Sequence, residues 1–119
     1  MSVILKRIYD EEKKPGGHRI LVDGIWPRGI SKEQAEIDEW MKEISPSAEL
    51  RKWFNHDPEK FSEFKKRYKK ELNGHSDKKS SLDKLRNMAD GKRVILLYGA
   101  KDETHNHAVV IKELLEQDD

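Results

Sequence analysis

The sequence predicts a three-layer α/β fold: a small, mainly parallel three-stranded sheet flanked by about five helices, in a single domain over residues 1–119. Three observations carry that expectation. Residues 93–98 (RVILLY) are nearly continuous in apolar side chains, as in a strand covered on both faces. Two shorter apolar runs, residues 3–8 and 19–23, precede it near the N-terminus. Between these runs and the third lies a long stretch whose apolar residues recur at helical spacing.

Taken in order, the first strand covers residues 3–5 and extends through Ile8, and the second (RILVD) follows the breaker Pro15-Gly16-Gly17. The intervening residues 10–18 are fewer than the ~12 or more of an ordinary parallel crossover. A helical turn in residues 10–14 (DEEKK) would complete a cramped parallel connection; otherwise the two strands form a hairpin, and periodicity leaves both open. Ser31 can cap a short helix ahead of Ile37 and Trp40. Ser45-Pro46 reads as a helix start with proline at the first helical position, and Leu50, Trp53 and Phe54 form its apolar face. Asp57-Pro58 repeats the device before Phe61, Phe64, Tyr68 and Leu72, and Asn73-Gly74 is expected to end that helix in the left-handed conformation. A further helix carries Leu82, Leu85 and Met88 or Ala89 and stops at Gly91. The last follows the GAKDETHN loop and presents Ala108, Ile111 and Leu114 or Leu115, with Asp102 or Thr104 as its expected cap.

Composition narrows the function classes. Charged residues make up 39% and hydrophobic ones only 34%, a balance that raises disorder. The charges nearly cancel to +1, however, and the aromatics sit at periodic positions, which argues for a folded core under a charged skin. Near-neutrality opposes bulk attraction to nucleic acid or to an anionic membrane surface. The absence of cysteine excludes thiolate chemistry and disulfides and suits a reducing compartment. The N-terminal apolar run is too short for a signal peptide, and no stretch approaches the roughly 20 apolar residues of a membrane span. A cytoplasmic location is expected.

In open α/β sheets ligands gather beyond the carboxyl ends of parallel strands. The segments leaving those ends are rich in polar residues: Arg7, Tyr9 and Asp10 at the first, Asp23-Gly24-Ile25-Trp26-Pro27-Arg28-Gly29 at the second, and Gly99-Ala100-Lys101-Asp102 then His105-Asn106-His107 at the third. Parallel strands would bring them to one rim, where the last helix also presents free N–H groups. Arg28, between proline and glycine, suits carboxylate or phosphate recognition, and Lys101 adds a second cation. Asp23 and His107 are the acid/base candidates, with His107 near a helix start where a neutral imidazole is favoured. Arg7, Tyr9, Trp26, Arg28, Lys101, Asp102 and Asn106 form the candidate ligand-binding set. Each has a bland counterpart: Asp23 as a turn residue, Trp26 and Trp53 as core anchors, Asp102 as a cap, His107 as a packed histidine.

Other constellations are weaker. His105 and His107, two apart, point to different helix faces, so no metal and no cofactor are expected. His56-Asp57 has the look of a metal-phosphohydrolase dyad but lacks the scattered partners. Lys65, Lys66, Arg67, Lys69 and Lys70 alternate with Glu63 and Glu71 opposite an aromatic stripe, the pattern of a solvated helix face.

The strings KRIYD, GHRILVDGIWPRG, DEW, PSAELRKWFNHDP and LLYGAKDETHNHA together resemble the YeaO-like proteins, a bacterial group within the family called domain of unknown function 488. The resemblance runs over essentially the whole chain. It implies a compact α/β fold with the first two strands parallel, since larger relatives carry a full helix between them. It also implies that the polar family positions fall on Arg7, Tyr9, Asp10, Arg19, Asp23, Trp26, Arg28, Lys32, Ser47, Arg51, Lys101, Asp102, Asn106 and His107. Many relatives have arginine directly after the second-strand aspartate, where this chain has Gly24. The family brings no assigned activity with it. The residues themselves point to a small anionic ligand of nucleotide-like character, with hydrolysis or group transfer as the accessible chemistry. A non-catalytic, stress-related interaction protein with a structural polar network is the alternative. Processing of nucleic-acid bases or glycosidic bonds, with Trp26 as a stacking surface, is the third.

Overall fold

The computed structural model describes residues 2–10 and 16–117. Strands β1 (Ser2–Arg7), β2 (His18–Leu21), β3 (Glu39–Trp40) and β4 (Arg93–Tyr98) form one sheet in the order β1-β4-β2-β3. Every neighbouring pair is parallel. Among the described residues five α-helices accompany it: α1 (Lys32–Ala35), α2 (Ala48–Phe54), α3 (Phe61–Gly74), α4 (Ser76–Ala89) and α5 (His107–Glu116), with 3₁₀ turns at Lys42–Ile44 and Pro58–Lys60.

The central strand organises the core. Side chains alternate across a strand, so β4 sends Val94, Leu96 and Tyr98 to one face and Ile95 and Leu97 to the other. The first face meets α2, α3, α4 and α5 through Leu50, Phe54, Phe64, Tyr68, Leu72, Leu85, Ala108 and Ile111. The second is covered by Ala35 of α1 and by Tyr9, Trp26, Ile30, Ile37 and Trp40. All five β4 side chains from Val94 to Tyr98 are buried, as their unbroken apolar character requires.

Several expectations need correction. The sheet has four strands rather than three. The additional one, β3, is two residues long and carries one charge and one aromatic, which gives periodicity nothing to register. It is held by β2 through the amides of Asp38 and Met41, which donate to Arg19 and Leu21 carbonyls at 2.8 Å each. The first two strands are parallel, but they are not neighbours, because β4 lies between them. The hairpin alternative therefore falls. The helical turn expected in residues 10–14 lies mostly outside the described residues.

Helix boundaries also shift. The cap of α2 is Ser47, whose Oγ accepts from the Leu50 amide at 3.2 Å, so Pro46 precedes the helix rather than opening it. Ser45 is engaged elsewhere, donating its hydroxyl to Lys42 O at 2.8 Å. Asp57 caps the 3₁₀ turn before α3. Gly74 stays helical instead of ending α3 in the left-handed region, because α4 begins at once and extended His75 serves as the joint. Asn106, and neither Asp102 nor Thr104, caps α5. Ser31 does cap α1, through a full capping box with Gln34.

Candidate functional site

The strand order sets the site. β4 lies beside β2, so the segments after Leu21 and after Tyr98 emerge together at their carboxyl ends. The Asp23 side chain joins them: Oδ2 accepts from the Gly99 amide at 2.8 Å, while Asp23 O accepts from Trp40 Nε1 at 2.7 Å. Gly99 fits this contact closely, since a Cβ there would stand 3.1 Å from Asp23 Oδ2.

α5 places His107 against the same point. Its Nε2 lies 3.1 Å from both Val22 O and Asp23 Oδ1. Only the carbonyl forms a hydrogen bond with it, and Asp23 Oδ1 is left buried without a hydrogen-bond partner. A carbonyl can only accept, so the neutral ring carries its proton on Nε2 and keeps a lone pair on Nδ1. The two side chains are largely shielded, at 15% exposure for His107 and 21% for Asp23.

Two hollows open here. The inner one, about 210 Å³, is lined by Asp23, Gly24, Ile25, Ser45, Pro46, Arg51, Phe54, His56, Phe64, Ala100, Asn106 and His107. The outer one, about 500 Å³ and more open, is lined by Tyr9, Asp23, Ile25, Trp26, Pro27, Arg28, His56, Gly99, Ala100 and Lys101. They share Asp23, Ile25, His56 and Ala100, so they are contiguous. Ile25, at 66% exposure, is the large apolar side chain left open to solvent among the described residues.

The predicted residues therefore divide. Asp23, Asn106 and His107 border the inner hollow; Asp23, Tyr9, Trp26, Arg28 and Lys101 border the outer. Arg28 and Lys101 are exposed, while Trp26 is anchored by its Nε1 donating to Ile30 O at 2.6 Å and packs edge-on against Trp40. Arg7 and Asp102 border neither hollow. Arg7 donates from Nε to Ala100 O at 3.0 Å and lies over the Tyr9 ring, and Tyr9 in turn donates its hydroxyl to Arg28 O. Asp102 organises the loop before α5, accepting from the amides of Thr104 and His105, from the Thr104 hydroxyl and from His105 Nδ1. The Thr104 amide is the leading cause that holds this carboxyl down at about 2. Asn106 is buried and self-occupied, with Oδ1 accepting from Val109 N and Nδ2 donating to Asp102 O. Burial raises the Tyr98 phenol above its ordinary range, and beneath His107 it raises Tyr68 much further.

Sequence reasoning missed Ser45, Phe54 and Phe64 of the opposite wall as site residues, and weighed His56 only as half of a dyad with Asp57. Arg51 entered only through the family resemblance. The α2–α3 corner folds this wall over the strand ends, with Asn55 and His56 both in the left-handed region (φ 47° and 55°). Two consecutive residues there are unusual outside glycine and mark the corner as built by its surroundings. The available signal was the string NHDP between two helices, which the dyad reading did not connect to Asp23, although the fold places His56 in the same lining. Among the described residues no cluster of three or more His, Asp or Glu could hold a metal ion. None of the described helices is long and apolar enough to cross a membrane.

Comparison with known proteins agrees with the resemblance. The family model described as "Inactive DUF488-N3 subclade" matches residues 2–118. "Uncharacterized protein YeaO" of Escherichia coli K12 is 42% identical over 115 residues, covering 97% of each chain. "Uncharacterized protein Rv3073c" of Mycobacterium tuberculosis H37Rv is 36% identical over 113 residues, covering 95% of this chain and 92% of the relative. No solved structure matches the chain. A full-length family match and close relatives of the same length together place this chain in the YeaO-like DUF488 family, in the subclade described as inactive.

Proposed function

We propose that residues 1–119 act as one domain that binds a small anionic ligand, nucleotide-like in size, across the two contiguous hollows at the carboxyl ends of β2 and β4. The observation that carries this reading is their shared lining. A shielded floor with Asp23 and His107 opens directly onto a broader hollow edged by the exposed cations Arg28 and Lys101. An anionic group belongs at the outer end, where both cations are free to turn toward it, and not beside the Asp23 carboxylate. Arg51 at the inner mouth is a third cation within the same lining.

A second reading, acid–base turnover, draws on the histidine tautomer. With Nε2–H held by Val22 O, Nδ1 is the basic nitrogen, and a bound ligand within its reach could be deprotonated or hydrolysed. The word "inactive" in the family description favours holding the ligand without turning it over. The cysteine-free composition supports a cytoplasmic location.

The test is a thermal-shift panel of phosphorylated metabolites and nucleotides, followed by titration of the best stabiliser. Arg28→Ala with Lys101→Ala should weaken binding at least about tenfold while leaving the melting temperature of the free protein within about 2 °C, because exposed cations contribute little to folding. A ligand-induced shift equal to that of the parent would remove the outer hollow from the account. The acid–base reading is tested on the same ligand: turnover by the parent that His107→Gln abolishes supports it, and no turnover by the parent removes it.

A further inference from the structure

We infer that the ligand carries a second anionic group, held by Arg51 and His56 at the inner hollow while the first meets Arg28 and Lys101. The ligand class is then a small molecule with negative charge at both ends. This rests on the ligand-binding reading of the same two hollows and adds what stands at the ligand's inner end.

The charges lining the hollows do not balance. Three fixed cations, Arg28, Lys101 and Arg51, face the single carboxylate of Asp23, in a chain whose net charge is only +1. That carboxylate is turned to other neighbours, with the Gly99 amide 2.8 Å from Oδ2 and His107 Nε2 3.1 Å from Oδ1. Arginines elsewhere are engaged within the fold: Arg7 on Ala100 O, Arg19 on the Ala35 and Glu36 carbonyls, Arg67 on Glu63 and Arg86 on Asp83. Among the described residues the guanidinium groups of Arg28, Arg51 and Arg93 are bonded to no other group. Arg93 opens β4 at the opposite end of the sheet, whereas Arg28 and Arg51 are exposed and stand in the lining.

Position divides these cations into two stations. Arg28 and Lys101 line only the outer hollow and Arg51 only the inner, while His56 lines both. One phosphate seated between Arg28 and Lys101 therefore leaves Arg51 unmatched. The α2–α3 corner sets His56 close behind Arg51. The Asn55 amide donates to Arg51 O at 2.9 Å, closing the last turn of α2, and His56 follows at once in the left-handed region at φ 55°. That backbone conformation is uncommon outside glycine, and strain of this kind clusters at binding sites. The exposed imidazole offers an N–H donor and the guanidinium a planar fork, a pair suited to carboxylate or phosphate oxygens. Asp23 repels an anion from the floor of the hollow, so the second group stays with Arg51 and His56 at its mouth. Ile25, 66% exposed and bordering both hollows, supplies an apolar edge for the uncharged part that spans them.

The test compares two pairs of probes that differ by one phosphate. The first is adenosine bisphosphate, with a phosphate on each side of the ribose, against adenosine monophosphate. The second is fructose bisphosphate, phosphorylated at both ends, against the monophosphate. Calorimetric titration of the parent at constant ionic strength should show the bisphosphate binding at least about tenfold tighter in one pair or both. Arg51→Ala combined with His56→Ala should bring that advantage to within about threefold and leave the monophosphate affinity at the parent's. Lys66→Ala, a charge removed from the exposed face of α3, should keep the advantage intact. Equal binding of both members in both pairs, still weakened by Arg28→Ala with Lys101→Ala, would overturn this inference and leave the single-anion site standing. An advantage that survives the loss of Arg51 and His56, or that falls as far in Lys66→Ala, would overturn it as well. Binding of none of the four probes at millimolar concentration would overturn both readings. Should the combined variant fail to fold by circular dichroism, Arg51→Gln alone decides by the same comparison.

Discussion

Replacing Asp23 separates the two oxygens of its carboxylate. Asp23→Ala removes the acceptor of the Gly99 amide, a hydrogen bond to a charged group of roughly 1.5–3 kcal/mol. It also removes Oδ1, which is buried without a partner and whose removal returns on the order of 1 kcal/mol. The net expectation is a loss of about 0.5–2 kcal/mol, or roughly 2–8 °C in melting temperature for a domain of this size. Asp23→Asn keeps an acceptor for Gly99 but loses its charge, and it sets an NH₂ group 3.1 Å from His107 Nε2, so it should also destabilise, by about 1–2 kcal/mol. Urea denaturation of the three proteins, with unchanged slopes as the check on two-state behaviour, measures both differences. An Asn variant within about 0.5 kcal/mol of the parent would refute the reasoning. It would mean that neither the carboxylate charge nor its approach to His107 contributes to the fold.

Other perturbations follow from the same contacts. Tyr68 is fully buried and donates its hydroxyl to Ile44 O, so Tyr68→Phe should cost about 1–3 kcal/mol by leaving that carbonyl without a donor; a loss under 0.5 kcal/mol in urea melts would contradict the bond. Asp102 has its carboxyl pKa depressed from 3.8 to about 2, chiefly by the Thr104 amide, so its contribution to the loop before α5 is complete above pH 3.8 and disappears as the pH falls through 2. Amide NMR shifts of Thr104 and His105 should accordingly titrate near 2, and a midpoint at 3.8 or above would contradict the clamp. The basic face of α3 should give no salt-sensitive binding of single-stranded DNA at low ionic strength, because Lys65 pairs with Glu113 and Arg67 pairs with Glu63 over Trp53; measurable binding that declines with salt would revive a nucleic-acid role.

Much of this architecture was legible because burial leaves a periodic trace. Residues 93–98 read as a doubly covered strand, and they are one, since the sheet packs helices on one face and α1 with its flanking aromatics on the other. Glu39 and Trp40 left no such trace. Their strand is defined by backbone bonds to β2, which side-chain pattern does not encode. Strand order was likewise silent: nothing in residues 3–8 or 19–23 says that a strand seventy residues later will lie between them. The candidate site was half legible for the same reason. Polar residues directly after strands announced Asp23, Arg28, Lys101 and His107, whereas Phe54, His56 and Ser45 reach the site only through the α2–α3 corner. Arg7 and Asp102 look alike in sequence to the residues that border the hollows, yet each is engaged by its own neighbourhood. Gly24 shows what a motif departure can mean once geometry is known, because the small residue and Ser45 occupy touching space.

Chemical-shift mapping of ¹⁵N-labelled protein titrated with adenosine monophosphate tests the shared-hollow site most directly. The predicted result is a compact set of perturbed amides at Gly24, Ile25, Gly99, Ala100 and Lys101, with His56 beside them and the α3 basic face unmoved. Perturbations confined to the lysines of α3, or no saturable shift at millimolar nucleotide, would contradict it.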